Sequence, residues 1–171
     1  MMASSFKKFF YAAKEKPLSL PDPEGECYRL SVDSTWLRHR IVRVERTRNS
    51  SGDLVAHWMG IKDSSKLWGY TMRAPLEMKH WRCLQAILEF SNFWTLPLSG
   101  GGGAMDGAWY TVEAWQAGCQ HRVCRHSLDE SHQESFSLLC YYLSHLADLI
   151  HERADKAFAS FDISDAEPAD H

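Results

Sequence analysis

The sequence lacks an apolar run long enough to span a bilayer, and no segment after Lys7 and Lys8 resembles the apolar core of a signal peptide. Its cysteines number five, an odd count that fits reduced thiols better than a disulfide framework. We therefore expect a cytoplasmic chain that carries no membrane-spanning segment.

The sequence also lacks the motifs of the common enzyme classes. It contains no Gly-x-Ser-x-Gly elbow, no His-Glu-x-x-His metal motif and no Walker loop. The glycine run Gly100–Gly103 precedes a predicted strand, so no helix N-terminus is available there to hold a phosphate. The sequence therefore predicts no bound cofactor, and it identifies no reaction.

Two features of the composition are unusual in a chain of 171 residues, a length that suits one domain. The seven tryptophans are large amphipathic side chains that serve both cores and contact surfaces. The charge is also divided along the chain. Residues 1–73 hold 13 Lys and Arg against 8 Asp and Glu, a net +5, and residues 74–171 hold 6 against 14, a net −8. Exposed surfaces of either half would attract partners of the opposite charge.

The hydrophobic patterns predict an α+β fold, an antiparallel sheet packed against two main helices. Four strands are expected at Cys27–Val32, Trp36–Arg48, Leu54–Ile61 and Lys66–Arg73, and a hairpin at Ala108–Trp115 and Cys119–His126. The helices are expected at 75–91, with Pro75 in the first turn, and at 130–152. Strand runs interrupted by helices at two places argue against a parallel, doubly wound sheet.

The hairpin is expected to turn through a three-residue loop at 116–118. Such a loop would pair Glu113 with His121 and Trp109 with Arg125. All four side chains would then lie on one face, and the other face would pack on the second helix.

Three segments are predicted along the chain. Residues 1–24 combine a short basic amphipathic helix with a proline-rich lead-in. Residues 25–156 hold the α+β domain, and residues 157–171 form an acidic tail with few large apolar groups, which is typical of a mobile terminus.

The strongest metal candidate is the group Cys119, His121, Cys124 and His126, since thiolates and imidazoles are the ligands that zinc prefers. On a strand, however, the first two side chains point to one face and the last two to the other. Four ligands that face opposite ways do not converge on one ion. The sequence therefore predicts no stoichiometric metal.

Two further functions remain open as alternatives. A small hydrolase or metal-dependent enzyme could be centred on Glu113, His121 and Cys124, with the first two as an acid–base pair. A nucleic-acid-binding regulator could instead use the predicted strand from Arg38 to Arg48, which also carries Arg40, Arg43 and Arg46. More often, arginines on a solvated sheet face pair with acids and protect a sheet edge, and the acidic balance of the chain argues against nucleic acid.

A set of residues in the C-terminal half resembles a known pattern. It comprises Phe93-Trp94-x-Leu96-Pro97, a glycine-rich loop, Asp106-Gly107-x-Trp109, Glu113 and Gly118-x-x-His121-x-Val-x-Arg125. Over residues 84–150 the chain resembles small bacterial proteins in which such a hairpin precedes an amphipathic helix. Cys119 and Cys124 depart from that pattern. The resemblance implies an accessory or immunity-type binder rather than an enzyme.

The leading interpretation is thus a non-enzymatic bacterial immunity protein that binds and neutralises a toxin or effector domain. Aromatic and arginine residues are the usual anchors of protein interfaces, and an acidic surface can block a basic active site. The residues expected to bind the partner are Trp94, Asp106, Trp109, Glu113, Trp115, His121 and Arg125.

Truncation before Ser160 is expected to leave the melting temperature nearly unchanged, because the residues removed are mostly small or acidic. Differential scanning fluorimetry of the truncated and full-length chains measures this directly. A fall of several degrees would mean that Phe161 or Ile163 contributes to the core.

Overall fold

Six antiparallel strands form one sheet, to which a short seventh strand is added in parallel. The computed structural model describes residues 24–34, 39–47, 52–62, 66–100, 107–126, 128 and 134–159. The strands are β1 (Glu26–Ser34), β2 (His39–Arg46), β3 (Asp53–Lys62), β4 (Lys66–Pro75), β5 (Ser99–Gly100), β6 (Ala108–Gln116) and β7 (Cys119–His126). The predicted α+β fold is confirmed.

The first strand lies in the middle of the sheet. The strand order is β4-β3-β2-β1-β6-β7-β5, so β1 pairs with β2 on one side and with β6 on the other. Among the described strands, β1 is therefore the only one that hydrogen-bonds to both the meander β2–β4 and the hairpin β6–β7.

Two helices cover one face of the sheet, which we call the helix face. They are α1 (Met78–Phe90) and α2 (Glu134–Ala159), and a single 3-10 turn (Phe93–Thr95) follows α1. In α1, the buried side chains Trp81, Leu84 and Leu88 recur at helical spacing, which is why this segment is a helix that packs by one side.

The core lies between the two helices and the helix face. Alternate residues of the central strands point into it, because successive side chains of a strand point to opposite sides. Its fully buried members from both layers include Tyr28, Leu30, Val42, Val112, Leu84, Phe136, Leu139 and Leu143. Tyr28 also ties β1 to α1, since Gln85 Nε2 donates to its hydroxyl at 3.2 Å.

The predicted first turn of α1 is wrong. Pro75 ends β4, opposite Asp53, and the helix begins only at Met78. Proline lacks an N–H, so it suits the end of an edge strand as well as the start of a helix. The ladder continues one residue further, where Leu76 N–H donates to Gly52 O at 2.6 Å.

The hairpin lies where the sequence predicts it, but its register differs by one residue. The turn consists of Ala117 and Gly118 alone, both with positive φ, at 50° and 76°. Type I′ turns, in which both central residues have positive φ, match the right-handed twist of the flanking strands. Glu113 therefore pairs with Arg122, not with His121, and a shift of one residue exchanges the faces of the second strand.

Several predictions lie outside the described residues. They include the N-terminal helix and proline-rich lead-in, the segments 35–38 and 48–51, most of the glycine run, Asp106 and the tail from Ser160. The second helix is longer than predicted at its C-terminal end, where it continues to Ala159. Among the described helices, none is both long enough and apolar enough to cross a membrane.

Val112 is fully buried at the centre of the helix face, so Val112→Asp should place an unpaired carboxylate in the core. We expect a loss of about 4 kcal/mol or more in unfolding free energy, enough to unfold the domain. Circular dichroism and thermal melting test this. Gln120→Asp, which adds the same charge at an exposed position of β7, is the control and should melt close to the wild type. A folded Val112→Asp protein would contradict the assignment of the faces.

Candidate functional site

The opposite side of the sheet, which we call the far face, is polar yet largely shielded from solvent. Its side chains come from the central strands and are Cys27, Arg29, Ser31, Asp33, His39, Ile41, Arg43, Glu45, Trp109, Thr111, Glu113, Trp115, Cys124 and His126. Arg43 is only 3% exposed and Thr111 only 4%. A polar face this well buried requires internal partners for its charges.

Arg29 and Glu113 form the central ion pair of the far face. They are register partners on β1 and β6, and Arg29 donates from Nε and Nη2 to Glu113 Oε2 at 3.0 and 2.6 Å. Both side chains are largely buried. Because both N–H groups come from one guanidinium, the pair fixes the two strands against each other.

A second pair lies beside the first. Arg43 on β2 is the register partner of Arg29, and its Nε donates to Glu45 Oε2 at 2.8 Å. Two arginines thus lie side by side on neighbouring strands, each with its own carboxylate. The carboxylates offset a repulsion that two buried like charges would otherwise produce.

Among the described residues, the buried polar atoms of the far face that make no hydrogen bond include Ser31 Oγ, Trp115 Nε1 and His126 Nδ1. Thr111 lies between them and donates to Cys124 Sγ at 3.3 Å. Buried polar groups usually have a hydrogen-bond partner. The far face therefore holds more buried polar atoms than its own hydrogen bonds satisfy.

Trp109 is the one tryptophan of the far face, among the described residues, that is about half exposed to solvent. It is 45% exposed, whereas Trp115 on the same strand is half-buried. Its ring meets the ring of its register partner His126 edge to face, with centroids 4.7 Å apart. The contact with His126 holds the exposed ring of Trp109 in place. A fixed and exposed tryptophan is typical of the residues that anchor protein interfaces.

Of the residues predicted to bind a partner, Trp109, Glu113 and Trp115 share the far face. His121 and Arg125 do not, because the register shift turns them to the helix face. Their expected position beside Trp109 is therefore wrong.

His121 and Arg125 instead hold the segment after α1. His121 Nε2 lies 3.1 Å from Leu96 O, and Arg125 Nη2 donates to Pro97 O at 3.0 Å. Arg125 also donates from Nη1 to Cys124 O at 2.8 Å and lies over the Phe136 ring at 5.6 Å. Burial lowers the pKa of Arg125, and the carbonyls and the ring compensate the buried cation.

Trp94 belongs to the same structural cluster. Its ring is half-buried and lies 5.7 Å from Phe93 and 6.0 Å from His121, measured between centroids. It is thus a packing residue at the end of the sheet and is separated from Trp109 by the sheet itself. The sequence position of Asp106 lies outside the described residues.

The four candidate zinc ligands divide between the faces as the strand geometry predicts. Cys119 and His121 lie on the side of the helix face, and Cys124 and His126 lie on the far face. In the described part of the chain, no group of three or more His, Cys, Asp or Glu side chains is arranged to hold a metal ion.

The predicted enzyme centre is also divided by the sheet. Glu113 and Cys124 lie on the far face, whereas His121 contacts Leu96 O on the other side. The acid–base pair expected between Glu113 and His121 is therefore wrong, since Glu113 is bound to Arg29.

The arginines of β2 do not form one ladder at a sheet edge. β2 lies inside the sheet, between β1 and β3, and neighbouring arginines alternate between faces. Arg43 is buried on the far face, and Arg40 on the helix face pairs with Asp148 on α2 at 3.1 Å. Arg46, on the helix face, lies 5.8 Å from the Trp81 ring. Arg38 and Arg48 lie outside the described residues.

The far-face residues that sequence analysis missed include Arg29 and Asp33. Both interrupt the apolar pattern of β1, and a charged side chain within a central strand was the available signal. Their partners Glu113 and Trp109 are more than 70 positions away in the chain, so local patterns could not reveal the pairing.

No protein-family model matches this chain. A search of curated proteins likewise gives no significant match. The resemblance to small bacterial proteins with a hairpin and an amphipathic helix therefore stays a prediction, and a function must be argued from the geometry of the far face.

Glu113→Ala is expected to lower the free energy of unfolding by about 2–4 kcal/mol, because it removes the carboxylate that compensates the buried Arg29. Urea denaturation measures the loss. Arg122 provides a matched control, since it flanks Glu113 on β7 but is exposed, and Arg122→Ala should cost less than about 0.5 kcal/mol.

The double variant Arg29→Met/Glu113→Leu should recover most of the stability lost in Glu113→Ala, because it removes both charges together. Equal losses for Glu113→Ala and Arg122→Ala would show that the Arg29–Glu113 pair has no special part in stability.

Proposed function

We propose that this chain is a non-enzymatic protein-binding protein of the immunity type, which binds a toxin or effector domain and blocks its activity. The observation that carries the proposal is Trp109, an exposed tryptophan held on His126 at the end of a polar sheet face. Tryptophan is among the residues most enriched at the energetic centres of protein interfaces.

Other exposed apolar side chains are less suited to this role. They are Met78, Phe90, Leu98, Leu138 and Tyr141, and all come from the helices or the segment after α1. Isolated exposed apolar residues are normal on soluble proteins, and leucine is under-represented among interface anchors. Trp109 differs because its ring is fixed by an aromatic contact and is flanked by polar groups of the far face.

The charge of the chain supports a basic partner. Residues 74–171 carry a net charge of −8, and almost all of their acids lie outside the hairpin, which holds Glu113 against Arg122 and Arg125. A toxin that acts on nucleic acid or another anionic substrate has a basic active site. An acidic inhibitor associates quickly with such a site and competes with its substrate.

Trp109→Ala is expected to leave the domain folded, because the side chain is about half exposed, and to weaken partner binding by about 2 kcal/mol, roughly thirtyfold in Kd. Affinity capture from the native host, followed by mass spectrometry, identifies the proteins retained by the wild type and lost with this variant. Titration of the purified partner then measures the change in Kd.

Tyr141→Ala is the matched control, since Tyr141 is another exposed aromatic residue but lies on α2. It should retain the partner. Loss of the partner with Tyr141→Ala, and not with Trp109→Ala, would move the interface to α2. For the immunity function, the captured protein should stop growth when expressed alone and cease to do so when this chain is co-expressed. A captured protein without such toxicity would contradict immunity.

A further inference from the structure

The register of the sheet places an acid directly beside Trp109. Asp33 on β1 is the cross-strand partner of Trp109 on β6, and both side chains lie on the far face. Directly opposed residues in an antiparallel pair have Cβ atoms about 5 Å apart. Asp33 and Trp109 are thus cross-strand neighbours on the far face.

Among the described residues, the charged group nearest to the Asp33 carboxylate in the recorded ion pairs is His39. Asp33 Oδ1 lies 3.2 Å from Nδ1 of His39, without the alignment of a hydrogen bond. The carboxylate is 15% exposed, so it remains in contact with solvent. Burial raises its pKa, and the opposing effect of His39 is the smaller one. A partly desolvated carboxylate of this kind gains most from a full positive charge brought to it.

Trp109 supplies the complementary half of a cation site. Its ring is 45% exposed and is held by His126 on the side away from β1. Tryptophan is the aromatic side chain that attracts cations most strongly through its ring face. Arg29, on the same strand as Asp33, is already bound by Glu113.

We propose that Trp109 and Asp33 together bind a lysine or arginine side chain of the partner protein. The inference rests on the proposed protein-binding function and deepens it, because it names the chemistry of the partner group. The ring would contact the cation through its π face, and the carboxylate would accept a charge-assisted hydrogen bond from it.

The test uses two small probes, N-acetyl-arginine methylamide and its neutral isostere N-acetyl-citrulline methylamide. The indole N–H resonance of Trp109 is identified in an NMR spectrum by its disappearance in Trp109→Phe. In the wild type, the arginine probe should shift this resonance saturably, and the citrulline probe should shift it little. Asp33→Asn should weaken the response to arginine about fivefold. Asp148→Asn, which removes an acid of α2, should leave it unchanged.

Equal shifts with the two probes in the wild-type protein would overturn the proposal, and once the resonance is assigned this comparison uses the wild-type protein alone. An unchanged response of Asp33→Asn to arginine would also overturn it. The affinity capture separates this inference from the function on which it rests. If Trp109→Ala loses the partner and Asp33→Asn retains it, protein binding stands and the cation site fails. If both variants retain the partner, the Trp109 interface fails as well.

Discussion

The pairing of β1 with both of its neighbours is the constraint on which the rest of the structure depends. The meander β2–β4 comes from the basic half of the chain and the hairpin β6–β7 from the acidic half, and β1 lies between them. The Arg29–Glu113 pair crosses this junction over 84 positions of sequence. Closing so long a loop is costly in entropy, so the contacts made by β1 must be strong enough to offset it.

The same junction determines the character of the two faces. On the helix face, Leu30 and Val112 are register partners in a core closed by α1 and α2. On the far face, the same two strands pair Arg29 with Glu113 and Asp33 with Trp109. A single register therefore produces the apolar core, the buried ion pair and the exposed tryptophan together. A slip of one residue would exchange the faces and remove all three.

Hydrophobic patterns within a single strand or helix correctly predicted which side faces the core. Pairings between strands distant in the sequence were not predicted. The alternation along β6 identified its core side, which carries Tyr110, Val112 and Ala114, and the predicted second helix packs on the core through Phe136, Leu139 and Leu143. The hairpin register was wrong because two positive-φ residues close the turn, a backbone choice that Ala117 does not signal.

The candidate site was predictable to the same degree. Trp109 was predicted as a partner-binding residue of the hairpin, because aromatic residues are usual interface anchors. His121 and Arg125 were assigned to its face through the wrong register, and Asp33 was missed because it comes from β1, which precedes Trp109 by more than 70 positions. A site that spans two distant strands becomes visible only when the sheet order is known.

Native-state hydrogen exchange tests the central position of β1 most directly. If β1 joins the halves, the amides of Arg29–Val32 should be among the slowest to exchange, and the inner amides of β2 and β6 should open with the same free energy. Protection that persists in the β6–β7 hairpin under conditions where β1 exchanges freely would contradict this account. It would show that the hairpin and the two helices fold without the strand on which we have centred the structure.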